Sequence, residues 1–420
     1  MMAPAISRSD VPVLFATRAL RLFAYGLVSV VLVLYLSAAG YGERRIGALL
    51  TLTLLGDTAL SLLMTTHADR WGRRRVLVVG AALMALAGGA FAVTTSFGLL
   101  VVAATLGVVS PSGNEVGPFL AVEQAALAQR LPAERRTAAF AWYQLAGAVA
   151  TALGALCGGG LAGALQARAV APLASYRAVM VCYGVAGVAL VAVFTRLSPA
   201  IEAPAVSAAP PRPALLGLHR SRGTVLRLSA LFSVDAFAGG FVVQSFVAWW
   251  FHARFGVGPA TLGAIFFGAN LLAGVSALSA AWIAQRIGLV NTMVATHLPS
   301  NVLLVLVPLM PTLPLAIAVL LVRFSISQMD VPTRQSYTMA VVDPDERSAA
   351  AGVTGIARTI GAAIAPLAAG PLYASAALAS LPFFVAGGLK IAYDLALWRA
   401  FRKVVPAEER ADRGVRGEGG

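Results

Sequence analysis

Charge is scarce in this chain. Asp, Glu, Lys and Arg together make up only 12% of its 420 residues, about half the share found in an ordinary soluble domain. Too little charge remains to coat a large soluble surface, so a soluble globular protein is excluded. Cysteine is nearly absent: Cys157 and Cys182 both sit inside apolar runs, which rules out a disulfide framework and predicts two buried, inert thiols. His67, His219, His252 and His297 are scattered, so no metal cluster is expected. No Gly-x-x-x-x-Gly-Lys-Ser/Thr loop for ATP is present. An enzyme should gather His, Asp or Ser nucleophiles at one membrane face, and no such group stands out, so neither catalysis nor a cofactor is expected.

What the chain has in abundance is apolar length, 59% hydrophobic residues with a mean hydropathy of +0.80. A membrane span needs about 20 apolar residues. Twelve stretches meet that need, at roughly 12–38, 46–66, 76–95, 99–127, 137–165, 177–195, 228–251, 260–283, 290–309, 313–341, 349–374 and 381–399. They use up nearly the whole chain. The net charge of +14 would suggest nucleic acid in a soluble protein, but here it reports topology. Arg44, Arg45, Arg168, Arg177 and Arg254 fall in loops on one side, Arg18, Arg21, Arg323, Arg358 and Lys390 within spans, and the remaining Lys and Arg on the other side. The positive-inside rule then places both termini in the cytoplasm, with the first span a retained anchor.

The one long connection, 196–227, carries Pro199, Pro204, Pro210, Pro211 and Pro213 among Ala and Ser, a composition that suits a linker and cannot build a core. It separates a bundle at 1–195 from one at 228–405, and the charged, Gly-rich tail at 406–420 is expected to be disordered. The two halves are related. A shift of 216 positions aligns Ile46-Gly47-Ala48-Leu49 with Leu262-Gly263-Ala264-Ile265, and Ala68-Asp69-Arg70-Trp71-Gly72 with Ala284-Gln285-Arg286-Ile287-Gly288. Pro132-Ala133-Glu134-Arg135 recurs as Pro344-Asp345-Glu346-Arg347 after a small gap. Two parallel six-span repeats imply a pathway between halves, opened alternately to each side.

Between spans 2 and 3 the run Asp69-Arg70-Trp71-Gly72-Arg73-Arg74-Arg75 resembles the signature loop of the major facilitator superfamily. The core Asp-Arg-x-Gly-Arg-Arg is intact, while Thr65 and His67 replace the family's Gly and Leu ahead of it. The resemblance covers roughly residues 12–400 and implies an all-α membrane protein, with twelve transmembrane helices in two six-helix bundles. It also implies a gating turn of Asp69, Arg70, Gly72, Arg73 and Arg74, in which Asp69 and Arg73 latch the outward-facing state. Topology-setting arginines are the plainer reading of the same loop. By position alone the family also suggests that Glu123 and Arg358 lie near this turn and complete a charge relay. Gly147, Gly154 and Gly158-Gly159-Gly160 in span 5 are similar to the Gly-rich pattern of drug/proton antiporters but lack its closing Pro, and Gly361, Ala365-Pro366 and Gly370 in span 11 are the better copy. Small residues allowing close helix packing are the plainer reading of both. The Arg that many antiporters carry in span 4 is absent, and Arg323 stands at the corresponding place in span 10.

Ionised groups inside spans cost about 2.5–3.5 kcal/mol each on insertion scales, so they mark cavities or partners. Asp57 lies 12 residues from Asp69, roughly 18 Å along a helix and near mid-membrane. Arg18, Arg21, Tyr25 and Ser29 form a polar stripe on span 1, so Asp57 is either a proton or substrate site or a structural partner of Arg21. Arg323, Ser327, Asp330 and Arg334 are spaced to share one face of span 10. The equivalent span 4 contains Ser110-Pro111-Ser112-Gly113-Asn114-Glu115, polar and Pro-rich enough to break a helix, which is tolerated mainly beside a cavity. Asp235 and Asn270 in spans 7 and 8 are expected to face the pathway. Lys390 and Asp394, four apart, are expected to satisfy each other, and Trp249 and Trp250 to anchor span 7 at the interface.

The expected protein is a proton-coupled exporter of a small organic solute, monomeric, surrounded by lipid in the inner or plasma membrane and without a nucleic-acid partner. Uptake by symport is the nearest alternative. A polytopic sensor or enzyme is a more distant one.

Overall fold

The computed structural model describes residues 10–131, 133–202, 218–343 and 346–404. Most of the Pro-rich linker, the tail, and Pro132, Pro344 and Asp345 of the repeated turn lie outside the described residues. The architecture is all-helical, and among the described residues no strand occurs. The first six spans are α1 (Asp10–Ala38), α2 (Glu43–Trp71), α3 (Arg73–Val93), a broken span made of α4 (Phe97–Leu106) and α5 (Phe119–Arg130), α6 (Ala133–Ala167) and α7 (Pro172–Phe194). The second six follow as α8 (Arg222–Gly240) with α9 (Gln244–Phe255), α10 (Pro259–Ile287), α11 (Leu289–Leu306), α12 (Leu313–Phe324) with α13 (Asp330–Ala340), α14 (Arg347–Tyr373) and α15 (Leu381–Phe401). Ten of these spans are long and apolar enough to cross a membrane, and the broken fourth and tenth each contribute a shorter apolar helix.

The duplication is visible in the helix ends. α2 and α10 start and stop 216 residues apart, as do the starts of α3 and α11 and of α4 and α12. Gly72 and Gly288 occupy the turn between the matched pairs, with φ of 96° and 84°. Only glycine adopts that backbone without strain. The repeats differ in their first span: α1 is continuous, whereas its counterpart is interrupted between Gly240 and Gln244.

Glycines govern the packing within each repeat. A Cβ on Gly154 or Gly158 of α6 would strike the carbonyl oxygens of Phe23 or Leu27 on α1, at 2.0 and 2.5 Å. In the second repeat a Cβ on Gly361 of α14 would come within 2.4 Å of the Ser233 carbonyl on α8. Both Gly-rich patterns therefore serve close backbone approach, as small residues do between membrane helices. The outer faces are apolar: Val79, Leu86 and Val93, seven apart on α3, are all exposed, as suits helices that contact lipid. That inversion overturns two expectations. Cys157 and Cys182 are exposed rather than buried, because an apolar run in a membrane helix can face outward. Trp250 is fully buried, packed edge-on against Phe251 and Phe255, rather than an interfacial anchor.

By contacts the chain divides into two compact units, Met1–Ser207 with Val243–Leu271, and Ala208–Val242 with Leu272–Gly420. This division assigns α9 and the first part of α10 to the first unit, where α9 packs on α1.

Candidate functional site

In the first unit the interruption of the fourth span places a carboxylate where a continuous helix would carry only its own turn. After Leu106 the chain bends through Val108, Gly113 and Gly117, all at positive φ, and Glu115 projects from this bend toward α1. Arg18 Nη1 lies 2.7 Å from one oxygen of Glu115, and Arg21 Nε lies 2.8 Å from the other. Arg21 donates through its remaining two nitrogens to both oxygens of Glu123, at 2.8 and 2.7 Å, a fork geometry matched to a carboxylate. Tyr143 and Thr17 also donate to Glu123, and Arg18 Nη2 reaches Gln144 Oε1 at 2.5 Å. Arg21 and Glu123 are fully buried. Two guanidinium groups and two carboxylates thus form a network of balanced formal charge, in which Arg18 Nε alone among the guanidinium nitrogens has no hydrogen-bond partner among the described residues.

That network changes the expected role of Arg21, which is not the partner of Asp57. Asp57 is buried, 8% exposed, and faces Ser61 Oγ at 3.5 Å and the Gly117 backbone N–H. Among the described residues no cationic group lies within ion-pair distance of it. Tyr25 donates to the Val116 carbonyl at 3.2 Å and so braces the same bend. Ser29 Oγ accepts from Gln244 Nε2 at 2.8 Å, and Gln244 Oε1 accepts from Asn270 at 3.2 Å. Asn270 is therefore tied into a polar chain that starts on α1.

The second unit holds a larger ionic cluster around Asp235 on α8. Lys390 Nζ is 2.5 Å from Asp235 Oδ1, while Arg334 and Arg358 each approach Oδ2 at 3.4 Å. Arg334 makes its shorter contact, 2.8 Å, with Asp330 one turn earlier on α13. His297 on α11 has both ring nitrogens near carboxylates, Nδ1 at 2.8 Å from Asp394 and Nε2 at 3.6 Å from Asp235. Asn301 donates to the second oxygen of Asp394 at 2.9 Å. Lys390 and Asp394 therefore do not satisfy each other, since each turns to a partner on another helix. Span 10 is also not one uninterrupted face: the helix breaks over 325–329, leaving Arg323 at the end of α12 with a buried, unpartnered Nε and Asp330 at the start of α13. Sequence reasoning missed His297, Asn301 and the outward reach of Lys390 and Asp394. The only available signal was polar residues four apart, at 297 and 301 and at 390 and 394.

At the turn between α2 and α3 the backbone N–H groups of Arg73 and Arg74 donate to Glu202, at 2.6 and 3.2 Å. This carboxylate caps the positive end of α3. Arg73 Nη1 also reaches the Ile201 carbonyl at 3.2 Å and Arg74 Nη2 the Thr195 carbonyl at 2.5 Å. Arg70 is exposed, and the side chain of Asp69 lies outside the described residues. The expected neighbours Glu123 and Arg358 have other partners: Arg21, Tyr143 and Thr17 for the first, Asp235 for the second. Glu202, which follows the sixth span, was not anticipated.

A matched duplication, a broken fourth and tenth span, and buried ion networks inside apolar helices describe one kind of protein. The sequence profile of the Major Facilitator Superfamily matches residues 14–366. The chain belongs to that superfamily. It is 32% identical to an uncharacterized membrane protein of Saccharomyces cerevisiae, over 94% of this chain and 96% of that one. Among solved structures it resembles a D-xylose–proton symporter, with TM-score 0.72 and 14% identity over 95% of this chain and 98% of the other. The nucleoside transporter NupG is similar to the same degree, with TM-score 0.71 and 13% identity over 94% and 99%. At such identities the structural likeness establishes the fold. The chain is a multi-pass integral membrane protein of a secondary-transporter family.

Proposed function

We propose that the protein exports a small organic solute in exchange for protons, by alternating access between bundles at 1–195 and 228–405 joined by the linker 196–227. Both termini face the cytoplasm in this reading, the membrane is the inner or plasma membrane, and the working unit is a monomer. The observation that carries the coupling is the isolation of Asp57. The buried acids Glu123, Asp235 and Asp330 and the part-buried Glu115 all have a cationic partner within 4 Å, and Asp394 has His297, whereas Asp57 has a hydroxyl and a backbone N–H. A carboxyl group in apolar surroundings without a cation gains most by binding a proton, and that makes it the natural carrier. The Arg18–Arg21–Glu115–Glu123 network, balanced in charge, positions the bend that faces it. The turn with Asp69, Arg70, Gly72, Arg73 and Arg74 sets the balance between inward- and outward-facing states, and Asp235, Asn270, Arg323 and Asp330 line the solute pathway.

Purified protein in proteoliposomes tests this reading directly. Asp57→Asn, which mimics the protonated side chain, should remain folded yet lose proton-driven solute flux at least tenfold while solute exchange without a gradient persists. Undiminished proton-coupled flux in this variant removes Asp57 from the mechanism. A second reading, uptake by proton symport, is favoured by the likeness to the D-xylose–proton symporter and uses the same residue.

A further inference from the structure

Arg358 is the one member of the Asp235 cluster whose charge is poorly satisfied. It lies nine residues into the span Ala349–Tyr373, roughly 14 Å from its end at about 1.5 Å per residue, too deep for its side chain to reach a headgroup region. Its side chain is 33% exposed, against 5–9% for Asp235, Arg334 and Lys390. A guanidinium group carries five N–H donors, and among the described residues the one hydrogen bond of Arg358 is a 3.4 Å approach to an oxygen that Arg334 shares at the same distance. Asp235 already has its short bond, 2.5 Å, from Lys390. Nor can Arg358 face lipid, because Gly361, one turn away on α14, fixes this face against α8 at the Ser233 carbonyl. A half-buried, under-bonded arginine at mid-span needs a polar visitor.

The charges around it point to what that visitor carries. Lys390, Arg334 and Arg358 surround Asp235, Asp330 takes up Arg334, and Asp394 is held by neutral-capable groups, His297 and Asn301. Arg323, with a buried Nε lacking any hydrogen-bond partner, is within electrostatic reach of Asp330 and Asp235 and adds a fourth fixed cation against three carboxylates. A planar fork with free donors beside a surplus of positive charge is matched by an anion with two coplanar oxygens. We propose that Arg358 exchanges its long contact with Asp235 for the carboxylate of the transported solute, making the substrate class organic carboxylates. This inference rests on the transport reading above, which supplies the solute.

Arginine-directed labelling tests it on the wild-type protein, so no variant has to fold. Protein in liposomes is treated with phenylglyoxal, an uncharged reagent for guanidinium groups, and modification of Arg358 is followed by peptide mass spectrometry. Acetate, benzoate, succinate and citrate are compared with the corresponding amides. Arg358 should react, and at least one carboxylate at millimolar concentration should slow its reaction threefold or more, with no effect from its amide and no comparable protection of the exposed Arg70. An unreactive Arg358, or equal effects of acid and amide, or no protection by any of the four acids, overturns the proposal. Solute flux into the same liposomes separates the two claims. Protection without flux leaves the carboxylate site standing and defeats the transport reading. Flux of uncharged or cationic solutes without protection does the reverse.

Discussion

At the scale of single residues, the chemistry of this protein depends on which charges are closed off and which are left open. Arg21 is fully buried and each of its three nitrogens bonds a carboxylate oxygen; removing one partner from its buried pair with Glu123 is strongly destabilising, by about 3–5 kcal/mol. Glu346 shows the same closure outside the membrane. Burial alone would raise its pKa, but the Ser221 hydroxyl and the backbone N–H groups of His219, Ser221 and Arg220 hold the carboxyl down at about 2, against an ordinary value near 4.5. Its depressed pKa sets the sign: the bonds to 219–221 contribute fully above pH 4.5 and are lost as pH falls through 2. Amide hydrogen-exchange protection at 219–221 should therefore decline over that window in the wild type. Glu346→Gln should start from weaker protection and show no such decline. Identical pH profiles for the two proteins would remove Glu346 as the anchor of this segment.

At the scale of elements, how much could be read from sequence follows from the reach of each interaction. The spans, the 216-residue repeat and the break in span 4 were legible because apolar length, glycine turns and a Ser-Pro-rich insert are local signals. Partnerships were not. Lys390 and Asp394 sit four apart and satisfy the helical spacing rule, yet each prefers a group on another helix, and no single-chain pattern records which helix packs alongside. Cys157 and Cys182 misled for a related reason, since apolar neighbours in sequence signify burial only where the surroundings are water. The turn glycines allow a sharper test of the repeat. With φ of 96° at Gly72 and 84° at Gly288, alanine at either position should cost about 1–3 kcal/mol. Gly89, four residues from the end of α3 with open space where a Cβ would sit, should instead gain about 0.5–1 kcal/mol on changing to alanine. Thermal unfolding in detergent reads all three. Equal effects at Gly72 and Gly89 would mean that the turn backbone is not what Gly72 is there for.

At the scale of the whole molecule, direction of transport is a question of charge moved per cycle. If the solute is a monovalent carboxylate and leaves while one proton enters, two charges move inward in the electrical sense. Each is driven by an inside-negative potential worth about 2.3 kcal/mol per 100 mV. Uptake of the same anion together with one proton moves no net charge, so potential neither helps nor hinders it. The two readings of direction therefore differ in a quantity that does not depend on knowing the solute's full structure. Proteoliposomes loaded with potassium and treated with valinomycin impose an inside-negative potential at fixed pH difference. Under exchange, efflux of the labelled carboxylate should accelerate severalfold as the potential grows, and Asp57→Asn should lose the proton-driven part of that efflux. A rate that ignores the potential while still requiring a proton gradient would assign the protein to uptake symport, with Asp57 and Arg358 keeping the same tasks in the opposite direction.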